Sequence, residues 1–286
     1  MESYAYAVGK IRVLERNLLP KPYLNKIAEN SLEAITSELK IKEDFFSFLG
    51  NELKTTYDLI EKLLTNSSLS IILRLKYETY NLKLLLKKEI DSSISTAFSD
   101  LGAIPPSLLK DAIQNKAFLQ IPSYFREIAR KSFALFQANR AGDVEQFLEK
   151  ETWEIILKTA QETKNLFLED FLKMQIDFLN IKNFPDIFIP GGRIKKEIFK
   201  QDITNIEKKV VFFYPKFDFA NLEKSTDNLL TNYLKKAKTY SFGVEPLIAY
   251  LFAKEEELKN IKLILLGKLN NIDSSILKEN LRETYV

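Results

Sequence analysis

The residues of this chain that could carry chemistry are mainly carboxylates. Glu78 and Glu89 lie within one stretch, and Glu255, Glu256 and Glu257 follow one another. Carboxylates act as general acids or bases and bind Mg²⁺, but neither an Asp-Asp-x-x-Asp nor a Glu-x-x-His pattern accompanies them. Because charge runs on helices usually lie on a solvated face, we interpret the pair and the run as exposed surface.

The residue types on which many enzymes and metal sites depend are missing. The sequence contains neither histidine nor cysteine. Catalysis by Ser-His-Asp or Cys-His groups, zinc binding and disulfide formation are therefore excluded within these residues. The sequence predicts no catalytic, cofactor-binding or metal-binding residue.

Glycine and aromatic residues give weaker signals. Gly191-Gly192 before Arg193 fits the spacing of neither a dinucleotide-binding motif nor a Walker motif, so we interpret it as a tight turn between helices. Residues 210–214 are β-branched or aromatic throughout, and the pattern predicts either a short strand or a buried helical turn. We interpret the remaining large aromatic residues as core rather than as a ligand cage, namely Phe125, Phe133, Phe136 and Trp153.

Composition and charge limit the class of protein. Only 8 residues are glycine, which favours helices over sheets joined by tight turns. The net charge of +3 comes from 42 basic and 39 acidic residues mixed along the chain, so we expect no nucleic acid partner. Apolar runs such as 247–253 are shorter than the ~20 residues of a spanning helix, and residues 1–4 lack a signal-peptide pattern. We expect a cytosolic protein, or one seated on a membrane protein.

Apolar residues recur at helical spacing and predict the helices that must position these side chains. Ser31 or Asn30 precedes a helix with Glu33 in its first turn, and Pro122 and Pro246 stand at favourable first positions. The sequence therefore predicts an all-α fold. The clearest periodic series are Ile11, Leu14 and Leu18, and Phe46, Leu49, Leu53, Tyr57, Ile60 and Leu64.

An internal repeat is the most informative feature of the sequence. An acidic residue, two variable residues, asparagine, an aliphatic residue and lysine recur at 78–83 (ETYNLK), 177–182 (DFLNIK) and 257–262 (ELKNIK). Three copies in similar helical settings predict triplicated helical units, with a period longer than the ~20–50 residues of common solenoids. We interpret the shared asparagines as structural residues that hydrogen-bond neighbouring backbone, namely Asn81, Asn180 and Asn260.

A second similarity follows two of these copies. Residues 104–111 (IPPSLLKD) resemble residues 272–279 (IDSSILKE), and residues 189–194 (IPGGRI) begin similarly. The sequence predicts a single domain over residues 1–286 in which three lobes surround a pseudo-threefold axis. The expected repeats cover approximately 1–112, 113–205 and 206–286.

Three stretches resemble one protein family. Residues 241–262, SFGVEPLIAYLFAKEEELKNIK, resemble the carboxy-terminal signature of the C subunit of V-type ATPases of bacteria and archaea, which is equivalent to the d subunit of the eukaryotic V-ATPase. Residues 4–15, YAYAVGKIRVLE, are similar to the first helix of that family, and residues 189–193, IPGGR, to its central turn. These landmarks are spread along the chain.

The resemblance implies an architecture and a role. It implies an all-helical funnel of three lobes, present in one copy per complex and held to the membrane only through protein contacts. The funnel would sit on the cytoplasmic mouth of the proteolipid (c/K) ring and receive the central shaft, which is built from the D and F subunits. Such a non-catalytic member of the central stalk would transmit torque for proton or sodium transport. The chain is short for the family, which we attribute to trimmed loops.

Two other functions are compatible with the residues alone. A free-standing α-helical scaffold would bind a partner helix in a groove, and a helical enzyme would use carboxylates with Mg²⁺. Purification with ring or shaft subunits would favour the ATPase role. Magnesium-dependent turnover by the isolated chain would favour the enzyme.

Overall fold

A computed structural model describes residues 4–42, 44–91, 93, 97–138, 140–183 and 219–286. The described residues form helices and no strand, which confirms the predicted all-α class. Residues 191–193 and 210–214 lie outside them. The α-helices are α1 (Ala5–Glu15), α2 (Lys21–Ile27), α3 (Leu32–Glu38), α4 (Phe45–Leu63), α5 (Ser67–Ile90), α6 (Pro106–Gln114), α7 (Ser123–Gln137), α8 (Ala141–Glu162), α9 (Leu166–Asn183), α10 (Phe219–Leu234), α11 (Glu245–Leu269) and α12 (Ser274–Asn280). Short 3-10 helices cover Phe118–Gln120 and Lys235–Thr239.

Polar side chains cap the starts of several helices, and the sequence predicted one of these starts, at Ser31. The Ser31 hydroxyl accepts the Ala34 N–H at 3.3 Å, so the start of α3 is confirmed with Glu33 in its first turn. Asp44 accepts the N–H groups of Phe46 and Ser47 at the start of α4. These side chains satisfy amide groups that have no partner within the helix. Pro122 directly precedes α7, and Pro246 is the second residue of α11.

The chain divides into two compact units. Unit 1 comprises Met1–Thr65 together with Gln201–Val286, and unit 2 comprises Asn66–Lys200. The division into three repeats stays a prediction. Among the described helices, none has both the length and the apolar character required to cross a bilayer.

Helix α11 is the central element of unit 1. It packs against α1, α3, α4, α10, α12 and the second 3-10 helix. Residues 246–251 at its start are therefore all buried, whereas Lys259 and Lys262 in its second half are exposed. Helix α4 is amphipathic, with Leu49, Tyr57 and Ile60 buried, whereas Phe46 at its start is 53 % exposed. The main core of unit 1 joins α2, α3, α4, α11 and α12.

Helix α5 has the corresponding position in unit 2. It packs against α6, α7 and α8, while α8 also contacts α7 and α9. Apolar residues such as Leu75 and Leu82 bury one face of α5, and the polar residues Glu78 and Asn81 are buried beside them. A buried polar group is costly unless it is hydrogen-bonded, so these two side chains need partners inside the unit.

Candidate functional site

The repeated asparagines bind the backbone of a segment further along the chain. The Asn81 side chain donates to the Ser99 carbonyl at 2.9 Å and accepts the Ser99 N–H at 2.8 Å. The Asn260 side chain accepts the Arg282 N–H at 2.9 Å and donates to the Arg282 carbonyl at 3.4 Å. Both asparagines are fully buried. The structural interpretation is therefore confirmed for Asn81 and Asn260.

This geometry explains why the motif requires asparagine. A primary amide carries a donor and an acceptor side by side, so it pairs with one residue's N–H and C=O as a neighbouring strand would. Ser99 lies between α5 and α6, and Arg282 lies beyond α12, so neither backbone has a regular helical partner. Aspartate or leucine at these positions would leave at least one of the two backbone groups unpaired.

The third copy follows the same burial pattern. Asn180 is 1 % exposed and Asp177 is 7 % exposed, both on α9 of unit 2. The bound residue follows the asparagine by 18 positions in the first copy and by 22 in the last. The same separations counted from Asn180 reach residues 198–202, which lie outside the described residues.

The second sequence similarity also has a structural counterpart. Ile104 and Ile272 each stand two residues before the first residue of a short helix, α6 and α12 respectively. The order along the chain differs, because Ser99 precedes α6 whereas Arg282 follows α12. The two copies therefore share local elements but connect them by different paths.

Glu78 is not a surface carboxylate. It is 1 % exposed, and its Oε1 atom accepts the Ala103 N–H at 3.1 Å and the Tyr124 hydroxyl at 2.9 Å. Glu89 is exposed and lies eleven residues further along α5, roughly 16 Å away at helical rise. The interpretation as exposed surface is therefore wrong for Glu78, and the structure does not bring the two carboxylates together.

The Glu78 carboxyl lies in a tightly packed site. Burial raises the pKa of Glu78, although hydrogen bonds from Tyr124 and the Ala103 backbone oppose the shift. Its second oxygen has no hydrogen-bond partner among the described residues. A Cβ atom on Gly102 would lie 3.2 Å from the Glu78 Cγ atom, so glycine allows the loop to approach α5 this closely.

The carboxylates at 255–257 do not lie on a solvated face, although the sequence predicted one. Glu257 is 4 % exposed, the Tyr57 hydroxyl donates to Glu255, and Glu256 forms an ion pair with Lys259. The prediction was wrong because α11 is surrounded by other helices of unit 1 and offers no wide solvent-facing side here. Each charge is instead paired or hydrogen-bonded, as buried charges require.

Glu257 has a more polar environment than Glu78. It accepts the Leu19 N–H at 2.5 Å and pairs with Lys254 at 2.7 Å. Lys254 also lies 3.3 Å from Glu52 on α4. Burial lowers the pKa of Lys254, but the charges of Glu257 and Glu52 outweigh this, and the pKa is raised. The ammonium is therefore held in its charged form between two helices.

Residues 281–286 contact three helices of unit 1 that are distant in sequence. The Arg282 guanidinium pairs with Asp227 at 2.6 Å, and the Lys21 N–H donates to the Thr284 hydroxyl at 3.1 Å. The Tyr285 hydroxyl donates to Glu15 at 3.0 Å. Burial and the Glu15 charge raise the pKa of Tyr285, so the phenol remains a donor. This segment therefore ties α1, α2 and α10 together.

The aromatic residues considered for a ligand cage belong to packing clusters. Phe125 is fully buried in unit 2, and Trp153 packs against the cluster around Leu157 and Ile176. Phe133 is half-buried and contacts the Phe118 ring at 5.7 Å. The interpretation as core is confirmed for Phe125 and Trp153.

The buried polar side chains described above make contacts within the protein itself. Within the described residues, no group of three or more Asp or Glu side chains is arranged to hold a metal ion. The buried side chains of Asn81, Asn260, Glu78 and Glu257 each bind backbone, and Glu78 and Glu257 also bind a hydroxyl or a cation. These polar side chains therefore hold the protein's own helices and loops in place.

Sequence comparison identifies the family of this chain. The family described as ATP synthase (C/AC39) subunit matches residues 7–280, so the chain belongs to this family. The C subunit of the V-type sodium ATPase of Enterococcus hirae is 23 % identical, with 85 % of this chain and 83 % of the relative aligned. The C subunit of the A-type ATP synthase of Methanosarcina acetivorans is 22 % identical over 98 % of this chain and 92 % of the relative.

The comparison confirms the resemblance seen in residues 4–15 and 241–262. A third relative, the C subunit of the A-type ATP synthase of Methanocaldococcus jannaschii, is 23 % identical over 94 % of this chain and 84 % of its own length. The chain is thus a non-catalytic member of a V-type or A-type ATPase complex.

Proposed function

We propose that this chain is the central-stalk component that joins the rotating shaft to the membrane proteolipid ring. It transmits torque between ATP-driven rotation of the D and F subunits and the c/K ring, which carries protons or sodium ions. One copy sits at the cytoplasmic face of the membrane and is held there by protein contacts. We also propose that the chain forms a funnel of three lobes around a pseudo-threefold axis. The family match over residues 7–280 is the observation that carries it.

The construction of unit 1 supports a mechanical role. A connector under torque must resist opening between segments that are distant in sequence. Asn260 binds Arg282 within the C-terminal part of the chain, while Glu257 binds the Leu19 backbone and Tyr285 binds Glu15 across more than 200 residues. Such contacts must break before α1 and α11 can separate.

The load on such a connector is comparable with the strength of these contacts. Moving one elementary charge through 100 mV is worth about 2.3 kcal/mol. A single buried hydrogen bond contributes about 0.5–1.5 kcal/mol, so one bond alone is weaker than that load. Several contacts that break together exceed it. Unit 1 gathers such contacts on residues 281–286 and on Glu257 and Asn260 of α11.

A reassembly experiment tests the proposed connection. Purified ring is mixed with the ATP-hydrolysing head that carries the shaft, with and without this chain, and separated on a density gradient. We expect head and ring to migrate together only when the chain is present. Head and ring that associate equally well without the chain would contradict the proposal. A chain that binds neither ring nor shaft would favour the free-standing scaffold.

A further inference from the structure

Unit 1 contains an open groove between the second half of α11 and α12. The cavity has a volume of about 480 Å³. Leu263 and Leu266 of α11 and Ile272 and Ile276 at α12 supply its apolar surface. Ile276 is 50 % exposed, Ile272 is 41 % exposed, and the neighbouring Leu269 is 54 % exposed. Exposed aliphatic side chains that line one groove make it a candidate surface for a partner.

The two copies of the second sequence similarity show that this exposure is specific to unit 1. Ile104, the counterpart of Ile272, is only 2 % exposed in unit 2. Leu108, the counterpart of Ile276, is also more buried than Ile276. In unit 2 the protein itself covers these positions, whereas in unit 1 the same positions face the groove.

Gly267 and Leu277 line the groove and lie against each other. A Cβ atom at this position would lie 2.2 Å from the Leu277 Cδ2 atom. Real side chains do not approach so closely, so a larger residue at this position would require the Leu277 side chain to move. Leu277 is 3 % exposed and anchors α12 to the core. The absence of a side chain at Gly267 therefore lets Leu277 of α12 pack closely against α11 beside the groove.

The charged residues that line the groove are all basic. Lys259, Lys262 and Arg282 line it, and none of its lining residues is acidic. Lys259 and Arg282 are held by Asp227, at 3.5 Å and 2.6 Å. The Lys262 ammonium lies 5.8 Å from the centre of the Phe46 ring, which leaves its charge without a carboxylate among the described contacts. A ligand that completes this site needs an apolar face and a negative charge.

We propose that this groove docks a helical segment of another protein of the same ATPase. The segment presents aliphatic side chains at i, i+3 or i+4, and i+7 to Leu266, Ile272 and Ile276, and a carboxylate to Lys262. The inference rests on the proposed function because the partner belongs to the assembled complex. It adds that one partner binds in the α11–α12 groove and that this partner carries a negative charge there.

Site-specific crosslinking in the purified complex tests the occupant. A photoreactive phenylalanine replaces Ile276 in the full chain, and the matched control carries it at Leu119, which is 82 % exposed in unit 2. We expect the Ile276 position to crosslink to one segment of another ATPase protein that has a carboxylate within one helical turn. The Leu119 control should not crosslink to that segment.

Charge exchange then tests the recognition. We expect Lys262→Glu to weaken binding of the crosslinked protein by about tenfold, because the change places a like charge opposite the carboxylate. Changing that partner carboxylate to lysine should restore binding to the Lys262→Glu chain. Lys10→Glu, on the exposed face of α1, is the matched control and should leave binding unchanged.

The outcomes separate this inference from the proposed function. An assembled complex whose Ile276 probe reacts only within the chain, with a second copy, with lipid or with solvent would overturn the groove proposal alone. A Lys262→Glu chain that binds as tightly as the wild type would also overturn it. Failure of the wild-type chain to join shaft and ring would instead remove both proposals.

Discussion

The first and last copies of the repeated motif differ in one informative way. In unit 2, Asn81 binds Ser99, and Glu78 accepts a backbone N–H and the Tyr124 hydroxyl. In unit 1, Asn260 binds Arg282 in the same manner, but Glu257 is paired with the Lys254 ammonium. The asparagine contact is thus preserved while the carboxylate contact changes.

The comparison shows which part of the motif depends on its surroundings. An amide needs only a nearby backbone, which any helical unit can supply. A buried carboxylate needs its charge neutralised, either by a proton or by a cation. Glu78 is shifted towards the protonated form, whereas Glu257 is paired with Lys254 between α4 and α11.

The largest expected effect is the loss of the charged contact in unit 1. Glu257→Leu leaves the Leu19 N–H and one side of the Lys254 charge without a partner. Removing one partner of a buried ion pair costs about 3–5 kcal/mol, and we expect a loss of that order in denaturant unfolding. Glu89→Leu on the exposed end of α5 is the control. A Lys254→Met/Glu257→Leu chain as unstable as Glu257→Leu alone would contradict the ion-pair explanation.

The two asparagine contacts should have similar and smaller effects. Asn81→Leu and Asn260→Leu each leave a buried N–H and C=O unpaired, at about 1–3 kcal/mol for an unsatisfied group. Similar losses in the two variants would support one shared geometry in units 1 and 2. Asn232→Leu, on an exposed position of α10, should change the midpoint little. A loss of stability in only one of the two variants would show that the two asparagine contacts are not equivalent.

The comparison extends to the third copy through Asn180. This residue is as buried as Asn81 and Asn260, so Asn180→Leu should also cost about 1–3 kcal/mol in thermal unfolding. An unchanged melting temperature combined with lost assembly would instead identify Asn180 as a contact with another protein of the complex.

The smallest expected effect is the pH dependence of Glu78. The pKa of Glu78 is raised, so the folded chain favours the protonated carboxyl. The protonated carboxyl therefore contributes fully to stability below the pKa of Glu78 in the unfolded chain. That contribution is lost as pH rises above about 4.5 and through the folded pKa. Glu78→Gln keeps an acceptor for Tyr124 and cannot ionise. We expect its melting temperature, relative to the wild type, to rise with pH, and a relative fall would contradict the burial of an ionisable Glu78.

The sequence predicted the helices and the role of the asparagines because both depend on local rules. Helical periodicity and the Ser31 start require only neighbouring residues, and the recurrence of Asn81 and Asn260 pointed to a shared contact. The burial of Glu78 and Glu257 was missed because it depends on helices that pack against α5 and α11 from distant parts of the chain. Leu19 and Glu52 lie about 200 positions or more from their partners in α11, and no local pattern identifies them.

The most direct test of torque transmission is a paired measurement on reconstituted vesicles. ATP hydrolysis and ion uptake are measured together, with and without this chain, in the same preparation of head, shaft and ring. We predict that hydrolysis continues in both samples, whereas ATP-driven ion uptake requires the chain. Ion uptake at an unchanged ratio to ATP in its absence would contradict the role of the chain as the connection between shaft and ring.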